Sequence, residues 1–258
     1  MKKAKVQLSG IPQAKEMAID PAKGTLSDGA GALRLDFPLT GNVYGTAMNY
    51  KGNLDEFGLS LHEAPYKKPP EAPVLYMKPR NTFTGPETAI AIPDGETEVE
   101  IGAALAIVFG RTASKVIEKN ALDYVSGYTI VNDISLPHES IHRPAIKEKA
   151  QDGFCAAGPW IVNADEVVNP DDLGIRIYIN GALRQEHSTS ELVRPVGKLI
   201  ADVTSFMTLY KGDTLLVGLP PGAPRVQSGD EVRIQIDEIG ALTNHFVSER
   251  SFVKEGNR

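Results

Sequence analysis

Cysteine is nearly absent from this 258-residue chain: Cys155 is the only one. One thiol excludes an internal disulfide framework and any cysteine-rich zinc site. It suits a reducing compartment, and a cytoplasmic location is the expectation. Tryptophan also occurs once, and aromatic residues make up 7%. There is no excess of positive charge. The net charge is −6, which argues against a nucleic-acid binder, usually marked by a basic face, and more weakly against a membrane surface. No apolar run approaches the ~20 residues of a membrane-spanning helix. "MKKAKVQLSG" has lysines but no apolar segment behind them, so no secretory signal is expected. P-loop, His-Glu-x-x-His and Gly-x-Ser-x-Gly motifs are missing. Repeats and low-complexity tracts are missing too.

What the chain does have is glycine (24) and proline (18), which suits a turn-rich, strand-rich protein. Residues 1–40 read as a small N-terminal strand region with short alternating runs. "APYKKPPEAP" (64–73) then leads into the rest of the chain. Residues 104–110 are almost wholly apolar and read as a buried strand. "NALDYVSG" (120–127) reads as a short helix capped by Asn120 and stopped by Gly127, and "YTIVNDIS" (128–135) as a strand. "IRIYINGALRQEH" is a hairpin about Asn180–Gly181. Pro195 opens an amphipathic helix in which Val196, Leu199, Ile200, Val203, Phe206 and Met207 recur, with Gly212 as its end. "EVRIQID" (231–237) alternates as a half-buried strand. Strands dominate without a βαβ rhythm, so the expected class is a β-rich α+β fold.

One stretch, "TEVEIGAALAIVFGR" (97–111), reads as a strand carrying Glu98 and Glu100 on one face. Such a pair is either a ligand set for a hard cation or a pair of solvated charges at a strand start. Of the five histidines, only His138 and His142 are close, in "PHESIHRP". At i,i+4 spacing on a helix they could bind a metal, but Pro137 and Pro144 flank them closely, and the other reading is a loop with two surface or pocket histidines. Cys155 lacks an evident basic partner and reads as a small packed hydrophobe.

Taken together, several segments resemble the fumarylacetoacetate hydrolase family. They are "NVYGTAMNY", "VLYMKPRNTFTGP", "ALAIVFGR", "ALDYVSGYTIVNDIS", "KAQDGF", "GPWIV", "INGALRQ", "FMTLYKGDTLLVGLPPG" and "GDEVRIQIDEIGALTNHFV", in family order over roughly residues 42–247. The resemblance implies twisted mixed β-sheets rolled around a pocket, with a few short helices, over residues 41–258. "APYKKPP", "KPRNTFTG", "NDISLPHES" and "HRPAIKEKAQDGF" are similar to the first half of the family's duplicated isomerase/decarboxylase branch of 4-hydroxyphenylacetate catabolism. That similarity implies decarboxylation of 5-carboxymethyl-2-oxo-hex-3-ene-1,7-dioate or isomerisation of 2-hydroxyhepta-2,4-diene-1,7-dioate. Its alternative is a metal-deficient structural partner of a catalytic sister subunit. It also implies a homo-oligomer, a small acidic substrate, and Mg²⁺ or another divalent ion.

The family's metal-binding Glu-x-Glu pair ends immediately before the apolar run. Here Gly102 and Ala104 replace the two glutamates. Glu98 and Glu100 lie four residues too early, about 13 Å at strand spacing. Restored glutamates at 102 and 104 are expected to point at Asp133, which matches the third metal ligand. Asn53 and Glu56 fall at the positions of a lid His–Glu acid/base pair, leaving Glu56 to move a proton if burial raises its pKa. Lys149 matches a catalytic lysine, and Lys78 and Gln185 match pocket positions. Arg143 is a candidate clamp for a carboxylate, and His138 replaces a family aspartate. Leu219, in "VGLP", loses a hydroxyl contact.

Overall fold

The structure is a computed structural model that describes residues 1–26, 34–63, 67–138 and 145–254. Two sheets carry almost all of it. The larger is built from β1 (Lys2–Val6), β2 (Lys15–Asp20), β3 (Thr25–Leu26), β4 (Val43–Ala47), β5 (Val74–Lys78) and β6 (Phe83–Thr84) in the first part of the chain. A four-residue strand, β7 (Ala89–Ile92), and the two-residue β8 (Val99–Glu100) come next and lie outside it. It is completed by β9 (Ala103–Phe109), β10 (Val125–Asp133), β11 (Cys155–Asn163) and, after the hairpin β12 (Gly174–Ile179)–β13 (Ala182–Ser188), by β14 (Thr214–Leu216). Its order is β3-β2-β1-β11-β10-β9-β14-β4-β5, with β6 pairing β11. The N-terminal strands therefore continue the main sheet, through β1 against β11. After β15 (Arg225–Val226), which pairs with β8, come β16 (Glu231–Ile236) and β17 (Gly240–Ser248). The second sheet runs β13-β12-β16-β17-β7. Both sheets are mixed, since β14/β4, β6/β11 and β17/β7 are parallel and the other pairs antiparallel. The expected β-rich α+β class is what the chain adopts.

The large sheet is rolled. β5 lies at its far edge, yet the 3₁₀ turn Arg80–Thr82 carries the chain on to β6, which pairs with β11 near the middle. The roll has an inside and an outside, and β9 shows both. Ala103, Leu105, Ile107 and Phe109 enter the core shared with the second sheet and with helix α3. Ala104, Ala106 and Val108 enter a separate interior cluster with Val131, Cys155, Ala157 and Leu216. Burial on both faces explains why β9 reads as a continuous apolar run. Small residues on its inner side leave room for the polar groups described below.

Short helices fill the edges: α1 (Lys51–Phe57), α2 (Ile146–Lys149), α3 (Val196–Thr204) and α4 (Glu249–Lys254). The hairpin turns on Asn180 (φ 51°) and Gly181 (φ 79°), the two positive φ values that a two-residue turn requires.

Three local expectations need correction. Residues 118–124 form a 3₁₀ helix after Ile117, without a side-chain cap. Gly127 does not stop it; Gly127 lies inside β10, where a Cβ would fall 2.2 Å from the Val162 carbonyl oxygen. Close strand approach, not helix termination, calls for that glycine. The helix opened by Pro195 ends at Thr204, short of Gly212, and Phe206 is 62% exposed. Its C-terminal turn is taken up by a neighbour: Lys115 N–H donates to the Thr204 carbonyl and Val116 N–H to its hydroxyl. Residues 97–111 are not one strand either. β8 pairs with β15, and the chain breaks at Ile101–Gly102 before β9 begins.

Candidate functional site

Asp133 is the last residue of β10 and is 1% exposed. It lies across from Cys155 of β11. A lone carboxylate in such a place would be very costly unless charged partners met it. Two do. Lys78 Nζ lies 2.8 Å from Oδ1, and Lys149 Nζ 3.2 Å from Oδ2. The Tyr76 hydroxyl donates to Oδ2 as well. Tyr76 and Lys78 are two apart on β5, so they share a face, and the roll turns that face onto β10. Gly45 makes the approach possible, because a Cβ there would fall 2.1 Å from the Tyr76 ring.

The lysines differ in what they have left to give. Lys78 is fully buried, and its ammonium also reaches the Ile134 carbonyl (3.1 Å) and the Lys149 carbonyl (2.6 Å). Two of its donors are committed to those carbonyls, and its contact with Asp133 Oδ1 is a buried ion pair. Lys78, expected as a substrate contact, is an internal brace here. Lys149 sits at the end of the one-turn helix α2, with its side chain 18% exposed. Besides Asp133 it has only the Tyr76 ring, 4.9 Å away, among the described residues. Two of its donors therefore remain for a ligand.

Burial drives the Asp133 carboxyl towards neutrality, but Lys149 and Lys78 outweigh it and hold its pKa at about 2. Burial, the Asp133 charge and their hydrogen bond push the Tyr76 phenol well above its ordinary range. Burial pushes the Cys155 thiol up to about 12, so it stays protonated and is no nucleophile at neutral pH. With two lysines against one carboxylate, the cluster carries a formal net charge of +1 beside a mostly apolar interior.

The other candidates are scattered. Glu56 is exposed on α1 and apart from the cluster's hydrogen-bond and ion-pair partners. Asn53, on the same helix, keeps a buried side-chain oxygen without a partner among the described residues. Gln185 donates to the Pro221 and Gly222 carbonyls (2.7 and 3.0 Å), tying β13 to the loop that carries Leu219. His138 is exposed, with Nδ1 3.2 Å from the Leu136 carbonyl. Arg143 and His142 lie outside the described residues. Glu98 and Glu100 meet Arg225 at 2.6 and 3.1 Å. Tyr76 escaped sequence reasoning, although its i, i+2 spacing to Lys78 was a usable signal.

The donors described here do not fit a divalent ion. Gly102 and Ala104 offer no side-chain oxygen, and both Asp133 oxygens face ammonium groups. A Cβ at Gly102 would fall 2.5 Å from the Asp133 carbonyl oxygen and 2.8 Å from Leu219 Cδ1. Leu219 and the strand backbone thus take up the room a glutamate would need. The expectation that restored glutamates point freely at Asp133 is corrected accordingly.

Comparison with known proteins places this geometry. Residues 42–247 match the family described as "Fumarylacetoacetate (FAA) hydrolase C-terminal". A 4-hydroxyphenylacetate degradation bifunctional isomerase/decarboxylase from Escherichia coli is 39% identical over 212 residues, 82% of this chain and 48% of that protein. The chain thus spans about half the length of that relative. The crystal structure of a 5-carboxymethyl-2-hydroxymuconate delta-isomerase from Mycobacterium smegmatis superposes with a TM-score of 0.78 at 30% identity, covering 96% of this chain and 99% of that one. A maleylpyruvate hydrolase from Sphingobium sp. SYK-6, solved with manganese(II) and pyruvate, gives 0.69 at 29% identity over 84% and 74%. On the matched length and on these identities, the chain belongs to the fumarylacetoacetate hydrolase family.

Proposed function

We propose that the chain is a decarboxylase/isomerase-type subunit acting on 2-oxo and 2-hydroxy dienoic dicarboxylates of 4-hydroxyphenylacetate catabolism. The observation that carries the reading is the Lys149 ammonium, held by Asp133 and Tyr76 with donors to spare. Similarity to the E. coli isomerase/decarboxylase and the M. smegmatis isomerase supports the substrate class.

Decarboxylation and isomerisation of such acids share a dienolate next to a carboxylate. In the first, the C–C bond to the departing carboxylate breaks and its electron pair passes to the 2-oxo oxygen. In the second, the 2-hydroxyl gives up its proton to form the dienolate, and a carbon of the diene takes up a proton as the 2-oxo group forms. Lys149 binds the substrate carboxylate and stabilises the developing oxyanion. Asp133 and Tyr76 hold that ammonium in place, and Lys78 neutralises Asp133. None of the last three suits proton transfer at neutral pH, since Asp133 is ionised, Tyr76 protonated and Lys78 wholly buried against Asp133 and two carbonyls. Proton movement falls to Glu56, brought over the site when α1 closes on substrate. A purely structural partner would have no use for the second, under-committed ammonium.

A homo-oligomer, working alone or with a sister subunit of the same family, is part of the proposal, in keeping with relatives about twice as long. So is a cytoplasmic location; among the described residues no helix is long and apolar enough to cross a membrane. The test is a spectrophotometric assay of the purified chain on 2-hydroxyhepta-2,4-diene-1,7-dioate and its decarboxylation precursor. Turnover that falls about 10²-fold in Lys149→Gln supports the reading. No turnover, with or without the sister subunit, would overturn it.

A further inference from the structure

We infer that this site binds a carboxylate without a divalent ion, the two lysine ammonium groups supplying the positive charge. The inference rests on the proposed reading of the cluster as the substrate site. Its test measures binding, so that it and the proposed activity fail separately.

Three independent features point there. The first is charge. Lys78 and Lys149 bring two positive charges to one carboxylate, leaving +1 beside an apolar interior. Buried charge in excess of its partners is unfavourable, and a bound monoanionic group removes the excess. A divalent ion would raise it to +3.

The second feature is donor capacity. Lys78 is wholly buried, bonded to two carbonyls and ion-paired with Asp133, so it supplies charge from the interior. Lys149 is partly open and has one protein acceptor among the described residues. An incoming carboxylate therefore has one place to make charge-assisted hydrogen bonds.

The third is packing. The space in front of Gly102 is taken by Leu219, whose Cδ1 and Cδ2 would lie 2.8 and 3.0 Å from a Cβ at that position. Glycine at 102 and leucine at 219 are thus reciprocal. A side chain at position 102 and the Leu219 side chain would compete for the same space. Gln185 ties that loop at Pro221 and Gly222, so Leu219 does not stand on a loose segment.

The experiment is isothermal titration of the full chain with oxalate, a small 2-oxo acid mimic, in EDTA and again in excess Mg²⁺. Binding should be present in EDTA and, once referred to the oxalate left free of Mg²⁺ in solution, change less than about threefold with Mg²⁺. Lys149→Gln should weaken it by about tenfold or more, while Lys149→Arg, which keeps the charge, should retain most of it. Lys149→Gln leaves the Lys78–Asp133 pair neutral, so the variant should fold, and a thermal melt of the same sample verifies that. Oxalate binding that appears only with Mg²⁺, or that survives unchanged in a folded Lys149→Gln, would overturn the inference.

Discussion

Replacing Lys78 by methionine isolates the internal brace from the ligand-facing lysine. Methionine keeps much of the length and apolar stem but removes the ammonium. The change strands the Asp133 carboxylate on one side, and it also strands the Ile134 and Lys149 carbonyls. Both side chains of the pair are wholly buried, so no water takes over. Breaking a buried ion pair by removing one partner costs about 3–5 kcal/mol. Lys149 and Tyr76 still meet Asp133 Oδ2, which keeps the expected loss near the lower end, about 3 kcal/mol. At about 2–4 °C per kcal/mol for a chain of this size, the melting temperature should fall by roughly 10 °C. Chemical denaturation monitored by circular dichroism measures the loss directly. Adding Asp133→Leu to Lys78→Met should cost less than the two single losses combined, because the second change removes the stranded charge. A loss below about 1 kcal/mol for Lys78→Met, or simple additivity of the pair, would refute the reasoning that these groups form one coupled cluster.

Acid should weaken the fold through Asp133. Its pKa is held at about 2 against an ordinary 3.8, so its contribution, about 2 kcal/mol, is complete above pH 4 and is lost as the pH falls through 2. Urea midpoints between pH 5 and 2 should show this drop in the parent and a flatter profile in Asp133→Asn. Gly102→Glu with Ala104→Glu should destabilise the protein, since even a Cβ at 102 meets the Asp133 carbonyl and Leu219; recovery of the melting temperature with Mn²⁺ would contradict the fit argument. Glu98→Gln with Glu100→Gln removes exposed pairs with Arg225, and melting and metal response should stay as in the parent. Gly181→Ala, at φ 79°, should cost about 1–2 kcal/mol by forcing a side chain into the left-handed region, measured by denaturant titration.

Some of this molecule is legible from local signals. The Asn180–Gly181 turn and the alternation of Glu231–Ile236 carry their own structure, and the apolar run of β9 tells of burial on both faces. Other features depend on partners distant in the chain. Gly127 reads as a helix stop until Val162 is seen against it. The end of α3 is set by Lys115 and Val116, which no helical period contains. The site divides in the same way. Asp133, Lys78 and Lys149 are marked by the motifs that contain them, but their mutual contact comes from the closure of the roll through Arg80–Thr84. The burial of Lys78 against Asp133 and two carbonyls, the part played by Tyr76 and the fit of Leu219 to Gly102 emerge only with that closure.

The most direct test of the account is a crystal structure of the chain grown with oxalate and Mn²⁺, with anomalous data collected for manganese. The account predicts a carboxylate within hydrogen-bond distance of Lys149 Nζ, Lys78 still on Asp133, and no manganese peak at the cluster. A manganese peak within about 2.6 Å of an Asp133 oxygen, with Lys78 or Lys149 displaced, would contradict it.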